Sequence, residues 1–68
     1  MFRKKFYTLI VTTKTEDERI RYTYERYKKI RFWYNKEKRT IRAVLIDDKG
    51  NKTILEKVNV ESVEKRPY

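Results

Sequence analysis

The sequence predicts an α+β domain: a small antiparallel sheet of about four strands with one helix packed on one face, in the order β-α-β-β-β. Three observations predict this. Residues 6–13 are rich in aromatic and β-branched side chains, a helix-start signature follows at residues 15–18, and two β-favouring runs later flank a polar turn. A single domain over residues 1–68 is expected, because a chain of this length has room for one core.

The first run, residues 6–13, is apolar at both of its alternating sets of positions, which predicts a central strand with little exposure. The helix should begin just after it, with Thr15 as N-cap and Glu18 at the third helical position completing a capping box. The apolar residues that follow have helical i, i+4 and i+7 spacing: Ile20, Tyr24 and Tyr27. We therefore expect a helix to about residue 29 that packs these side chains against the sheet.

The same segment supports an alternative. Ile20, Tyr22 and Tyr24 also alternate with a period of two, and tyrosine and threonine side chains favour strands. With a strand here, the protein would be a small all-β, SH3-like barrel.

Two β-favouring runs, residues 30–34 and 40–46, predict a hairpin closed by a polar turn at residues 35–38. Every second residue of the two strands is apolar and suits the core: Ile30, Phe32, Tyr34, Ile41, Ala43 and Leu45. The other side of the hairpin carries side chains that can share the open face of the sheet: Arg31, Trp33 and Arg42.

The C-terminal part is predicted to complete the sheet. Residues 47–51 form a turn in which Gly50 can supply a positive φ. One more strand follows over about residues 52–60. Residues 64–68 are expected to be a frayed tail, because nothing in the pattern anchors them.

The net charge of +9 is unevenly distributed. From Arg19 to Arg42, ten basic residues stand against two acidic ones, which gives +8. Arg3, Lys4 and Lys5 add +3 at the start, residues 6–18 carry −2, and the charges after residue 42 cancel. A local field of this sign attracts polyanions and speeds their encounter.

Aromatic and basic residues are interleaved in the middle of the chain. A base or sugar can stack on the indole of Trp33 while arginines contact phosphate. The candidate nucleic-acid-binding residues are Lys28, Lys29, Arg31, Trp33, Lys36, Lys38, Arg39 and Arg42. The predicted function is therefore a small non-catalytic module that binds DNA or RNA, mainly through the phosphate backbone.

Three alternatives compete with parts of this prediction. The protein could be an interaction or inhibitor module that docks on an acidic partner protein. Trp33 could be structural, since Val44 and Ile46 on the same side suggest that something covers the face. The lysine-rich turn could be a solvated loop.

The composition argues against an enzyme. There is no cysteine and no histidine, so a disulfide framework, a thiolate metal site and the usual general base are all missing. No cofactor, metal or catalytic residue is expected, and a turn accounts for Asp47 and Asp48 more simply than a magnesium site.

We expect a cytoplasmic protein without a membrane span, and homodimerisation would help to stabilise so small a core.

Overall fold

The computed structural model describes residues 5–68, and every regular element in that range is a strand. The strands are β1 (Tyr7–Lys14), β2 (Arg19–Tyr27), β3 (Lys29–Asn35), β4 (Thr40–Ile46), β5 (Lys52–Lys57) and β6 (Val60–Pro67). They form two three-stranded antiparallel sheets, in the orders β2-β1-β6 and β3-β4-β5. Within the described residues, no helix is long and apolar enough to cross a membrane. The basic residues Arg3 and Lys4 lie outside the described range.

The predicted helix over residues 15–29 is wrong, and so is the α+β class. Strand β2 occupies most of that segment, and the all-β class of the alternative fits the structure, which has two antiparallel sheets. The hydrogen bonding expected of Thr15 is nevertheless present, because the Glu18 N–H donates to Thr15 Oγ1 over 3.3 Å. The Thr15 N–H in turn donates to the Glu18 carbonyl over 2.9 Å, which closes a turn between β1 and β2. A hydroxyl bonded to a nearby N–H is common to helix caps and turns, so the signature alone does not separate them.

A β-bulge explains why the helical spacing was misleading. Leu9 pairs with Tyr24 and Tyr7 pairs with Tyr27, so β2 advances three residues where β1 advances two. Because of this extra residue, the side chain of Tyr27 faces the core as that of Tyr24 does, although the two are three positions apart. Ile20, Tyr24 and Tyr27 are therefore all partly buried, on a strand with one bulge, at the spacing of a helical stripe.

The core lies between the two sheets. Its buried side chains come from four strands, β1, β3, β4 and β6: Leu9, Val11, Ile30, Ile41, Ala43, Leu45 and Val60. Tyrosines of β2 pack against this cluster, as the sequence pattern predicts, although they do so from a strand. The apolar side of the β3–β4 hairpin also faces inward, with Phe32 at its margin, 36% exposed.

The C-terminal segment contains two strands where one was predicted. β5 and β6 are separated by a turn at Asn59, which adopts a φ of 57°. The Asn59 carbonyl accepts a hydrogen bond of 2.9 Å from Lys14 N–H. Residues 64–68, expected to be a frayed tail, pair with β1 as far as Pro67, and Tyr68 N–H donates to the Phe6 carbonyl.

The turn predicted between β4 and β5 is confirmed. Gly50 has a φ of 85°, in the left-handed region that glycine adopts without strain. One carboxylate oxygen of Asp47 accepts hydrogen bonds from the Lys49 and Asn51 N–H groups, each 2.9 Å long. The Asn51 N–H contributes most to lowering the pKa of Asp47 below its ordinary value.

Candidate nucleic-acid interface

The sheet β3-β4-β5 has one side on the core and one on solvent, and we call the solvent side the outer face. Antiparallel pairing arranges its side chains in three rows: Lys29, Ile46 and Lys52; Arg31, Val44 and Ile54; Trp33, Arg42 and Glu56. The structure thus brings Arg31, Trp33 and Arg42 onto one face, with Trp33 directly opposite Arg42. Side chains in such pairs lie about 5 Å apart at Cβ.

The centre of the outer face is apolar, and exposed apolar side chains adjoin it on both edge strands. Trp33 is 58% exposed and Ile54 is 57% exposed, while Val44 between their strands is partly buried. Trp33 therefore belongs to the surface and not to the core. Large apolar side chains exposed close together are typical of binding sites.

Cations surround this apolar centre. The outer face carries Lys29, Arg31, Arg42 and Lys52 against one carboxylate in the described residues, that of Glu56. Arg42 Nε lies 3.7 Å from Glu56 Oε1, and both side chains are exposed. Within the described part of the chain, the other three cations form no ion pair.

The outward side of the other sheet, β2-β1-β6, is different in charge. Its four cations are largely offset by three glutamates: Lys14, Arg19, Arg21, Arg66, Glu25, Glu61 and Glu64. Two ion pairs of 2.8 Å link Arg19 to Glu61 and Arg66 to Glu64. The hydrogen bond that the Arg66 guanidinium donates to Glu64 raises the pKa of Arg66. The positive charge of the sheets is thus concentrated on the outer face of β3-β4-β5.

Further lysines lie at both ends of β3. Lys28 occupies the bend between β2 and β3 and is exposed beside Lys29. Lys36 and Lys38 are exposed in the turn between β3 and β4, where Lys38 N–H donates to the Asn35 side chain over 3.0 Å. A strand of this length spans about 20 Å, so cations are available at both ends of that span.

Arg39 has a different environment from the other candidate residues. It adopts a φ of 55°, and its carbonyl accepts a 2.8 Å hydrogen bond from Val60 N–H. Its guanidinium donates to the Lys14 carbonyl over 3.0 Å and to the Val60 carbonyl over 3.4 Å. These bonds tie the β3–β4 turn to β1 and β6, so Arg39 stabilises the fold.

Strand β5 contributes residues that the sequence analysis did not include in the site. Lys52, Ile54 and Glu56 alternate with a period of two, so their common side was readable from the sequence. Their position beside Arg42 and Val44 could not be read from the sequence, because it depends on the pairing of β5 with β4. The short turn before β5 was the available clue, since short turns join antiparallel neighbours.

An open groove of about 790 Å³ continues from the outer face past Trp33. It lies between the free edges of β2 and β5, and its apolar lining includes Ile20, Tyr22 and Val58. The Lys57 ammonium lies 3.7 Å from the centre of the Tyr22 ring and connects the two strands across the groove. This cation–π contact links one sheet to the other.

No protein-family model, no curated protein and no solved structure matches this chain. The geometry and charge of the described residues are therefore the features that indicate a function.

Proposed function

We propose that the protein is a small non-catalytic module that binds nucleic acid through the outer face. The observation that carries the proposal is the exposure of Trp33, at 58%, directly opposite Arg42 on a sheet surface rich in cations. An indole can contact a base or a sugar, while guanidinium and ammonium groups contact phosphate oxygens. The apolar centre and the basic surroundings of the outer face supply both kinds of contact.

The phosphate contacts are assigned to the exposed lysines and arginines of the outer face and its ends. They are Lys28, Lys29, Arg31, Lys36, Lys38 and Lys52. A strand about 20 Å long matches about six base pairs of a duplex, at about 3.4 Å per step. If about five phosphates are neutralised, the slope of log K against log salt should be about −4 to −5 on duplex DNA.

The composition of the apolar centre favours a duplex over a single strand. Proteins that bind single strands stack successive bases on several aromatic rings. Among the described residues, the outer face has one such ring, Trp33, and its other apolar side chains, Val44, Ile46 and Ile54, are aliphatic. Aliphatic side chains contact sugars and groove walls but offer no stacking surface. Duplex DNA or duplex RNA should therefore bind more tightly than a single strand at equal salt.

Fluorescence anisotropy titrations with random-sequence duplex DNA, duplex RNA and single-stranded DNA test the proposal. The informative variant is Arg31→Ala, and its matched control is Arg21→Ala, an exposed arginine on the other sheet. Losing one phosphate contact should weaken the salt slope by about 0.9 for the Arg31 variant and leave the control unchanged. Absence of binding at low salt, or an equal effect of both substitutions, would contradict the proposal.

A protein partner of acidic character is the second candidate, because exposed Trp33 and Ile54 beside arginines also suit a protein interface. Pull-down from a nuclease-treated lysate separates the two. Stoichiometric retention of one acidic protein, lost in the Arg31→Ala variant, would favour this class.

The proposal includes a cytoplasmic location, supported by the lack of cysteine in so small a chain. Sedimentation analysis decides between a monomer and a homodimer.

A further inference from the structure

Glu56 is unusual for its position. It is the one carboxylate on the outer face within the described residues, and it occupies the same row as Trp33 and Arg42. Its side chain is 70% exposed, and that of Arg42 is 63% exposed. An exposed ion pair of this kind contributes little to stability. Its position on the candidate binding surface is therefore its more important property.

The cations of the outer face are arranged asymmetrically around Glu56. Lys29 and Arg31 lie on β3, and Lys52 lies at the start of β5, across the same end of the sheet. Glu56 lies at the other end of β5, where a cation would extend the basic surface to that corner of the outer face. The basic path thus follows β3 and crosses to β5 only at the end near Lys52.

We propose that Glu56 is a specificity-determining residue that keeps the phosphate backbone away from the C-terminal end of β5. It does so in two ways, by repelling phosphate and by competing with phosphate for the Arg42 guanidinium. This inference rests on the proposed function, because it assigns the path of the nucleic acid across the same surface. The backbone then runs along β3, past Lys29 and Arg31.

The expected size of the effect follows from Coulomb's law. One phosphate held about 7 Å from a carboxylate in water is bound about threefold more weakly than without it. Releasing Arg42 from Glu56 would add one phosphate contact, which steepens the salt slope by about 0.9. Together these effects predict a gain of about three- to tenfold in affinity at low salt when the carboxylate is neutralised.

The test is Glu56→Gln, with Glu64→Gln as the matched control. Glu64 is also an exposed glutamate paired with an arginine, at 2.8 Å, but it lies on the other sheet. Both variants lose one negative charge, so a gain limited to Glu56→Gln reflects position and not net charge. Duplex DNA anisotropy titrations at several salt concentrations measure affinity and slope, and circular dichroism melts check folding.

A second measurement locates the nucleic acid. Amide chemical-shift changes on adding duplex DNA should follow β3 and the Lys52 end of β5 in the wild type, and should reach residues 56–57 in Glu56→Gln. Unchanged or weaker binding by Glu56→Gln, or an equal gain in Glu64→Gln, overturns the inference and leaves the proposed function standing. Failure of the wild-type protein to bind overturns the proposed function itself.

Discussion

Replacing Trp33 with alanine separates the contribution of the indole to binding from its contribution to folding. Trp33 is 58% exposed, so less than half of its surface is buried in the free protein. A buried area of about 100 Å², at about 25 cal/mol per Å², gives an upper limit of about 2.5 kcal/mol for the loss of stability. Loss of one stacking or sugar contact should cost about 1 to 3 kcal/mol of binding, a reduction of about 5- to 150-fold.

The salt dependence makes this prediction specific. Trp33→Ala removes no charge, so affinity should fall at every salt concentration while the slope of log K against log salt stays constant. Anisotropy titration over a salt series gives both quantities, and urea denaturation measures stability. Leu45→Ala is the control for loss of folding, since Leu45 is fully buried and its truncation should cost about 2 to 5 kcal/mol. Unchanged affinity in Trp33→Ala, or unfolding as severe as in Leu45→Ala, would refute the assignment of the indole to the binding surface.

Two further predictions concern the turns. Arg39→Ala should lower the free energy of unfolding by about 1 to 2 kcal/mol, because the Arg39 guanidinium donates to two carbonyls. The control Lys38→Ala should change it by less than about 0.5 kcal/mol. Thermal melts compare the two variants, and equal melting temperatures would contradict the prediction. The Asn51 N–H, more than any other group, holds the pKa of Asp47 below its ordinary value, so the contribution of this carboxylate to stability is present above the ordinary pKa and is lost as the pH falls through the lowered pKa. Melts at about pH 5 and about pH 2 should therefore show a smaller decrease for Asp47→Ala than for the wild type, and parallel decreases would argue against the carboxylate.

The β3–β4 hairpin was predictable in detail because its residues obey a single local rule. Residues 30–34 form one β-favouring run that ends in a polar turn, and the pleat places Ile30, Phe32 and Tyr34 on one side of it, so strand type, face and turn all follow from local sequence. Ile41, Ala43 and Leu45 extend the alternation into β4. The positions of Arg31, Trp33 and Arg42 on one face follow from these two strands alone.

Other parts of the fold depend on information that is not local. In β2, the bulge near Arg26 shifts the alternation by one residue and gives the inward side chains the spacing of a helix. The separation of β5 from β6 depends on the positive φ of Asn59, which asparagine tolerates but does not require. The contribution of Glu56 to the site depends on which strand pairs with β4. Sheet order is a property of the whole chain and cannot be read from one segment.

The one-sided charge of the molecule limits how many polyanions a single copy can engage. The outward side of β2-β1-β6 offsets most of its positive charge with glutamates, so residues 5–68 present one strongly cationic surface and should engage one duplex per copy. A monovalent ligand coats a polymer without crosslinking it. Saturating a duplex with the monomer should therefore leave light scattering low. Only a dimer whose two outer faces point in opposite directions could crosslink two duplexes and raise the scattering.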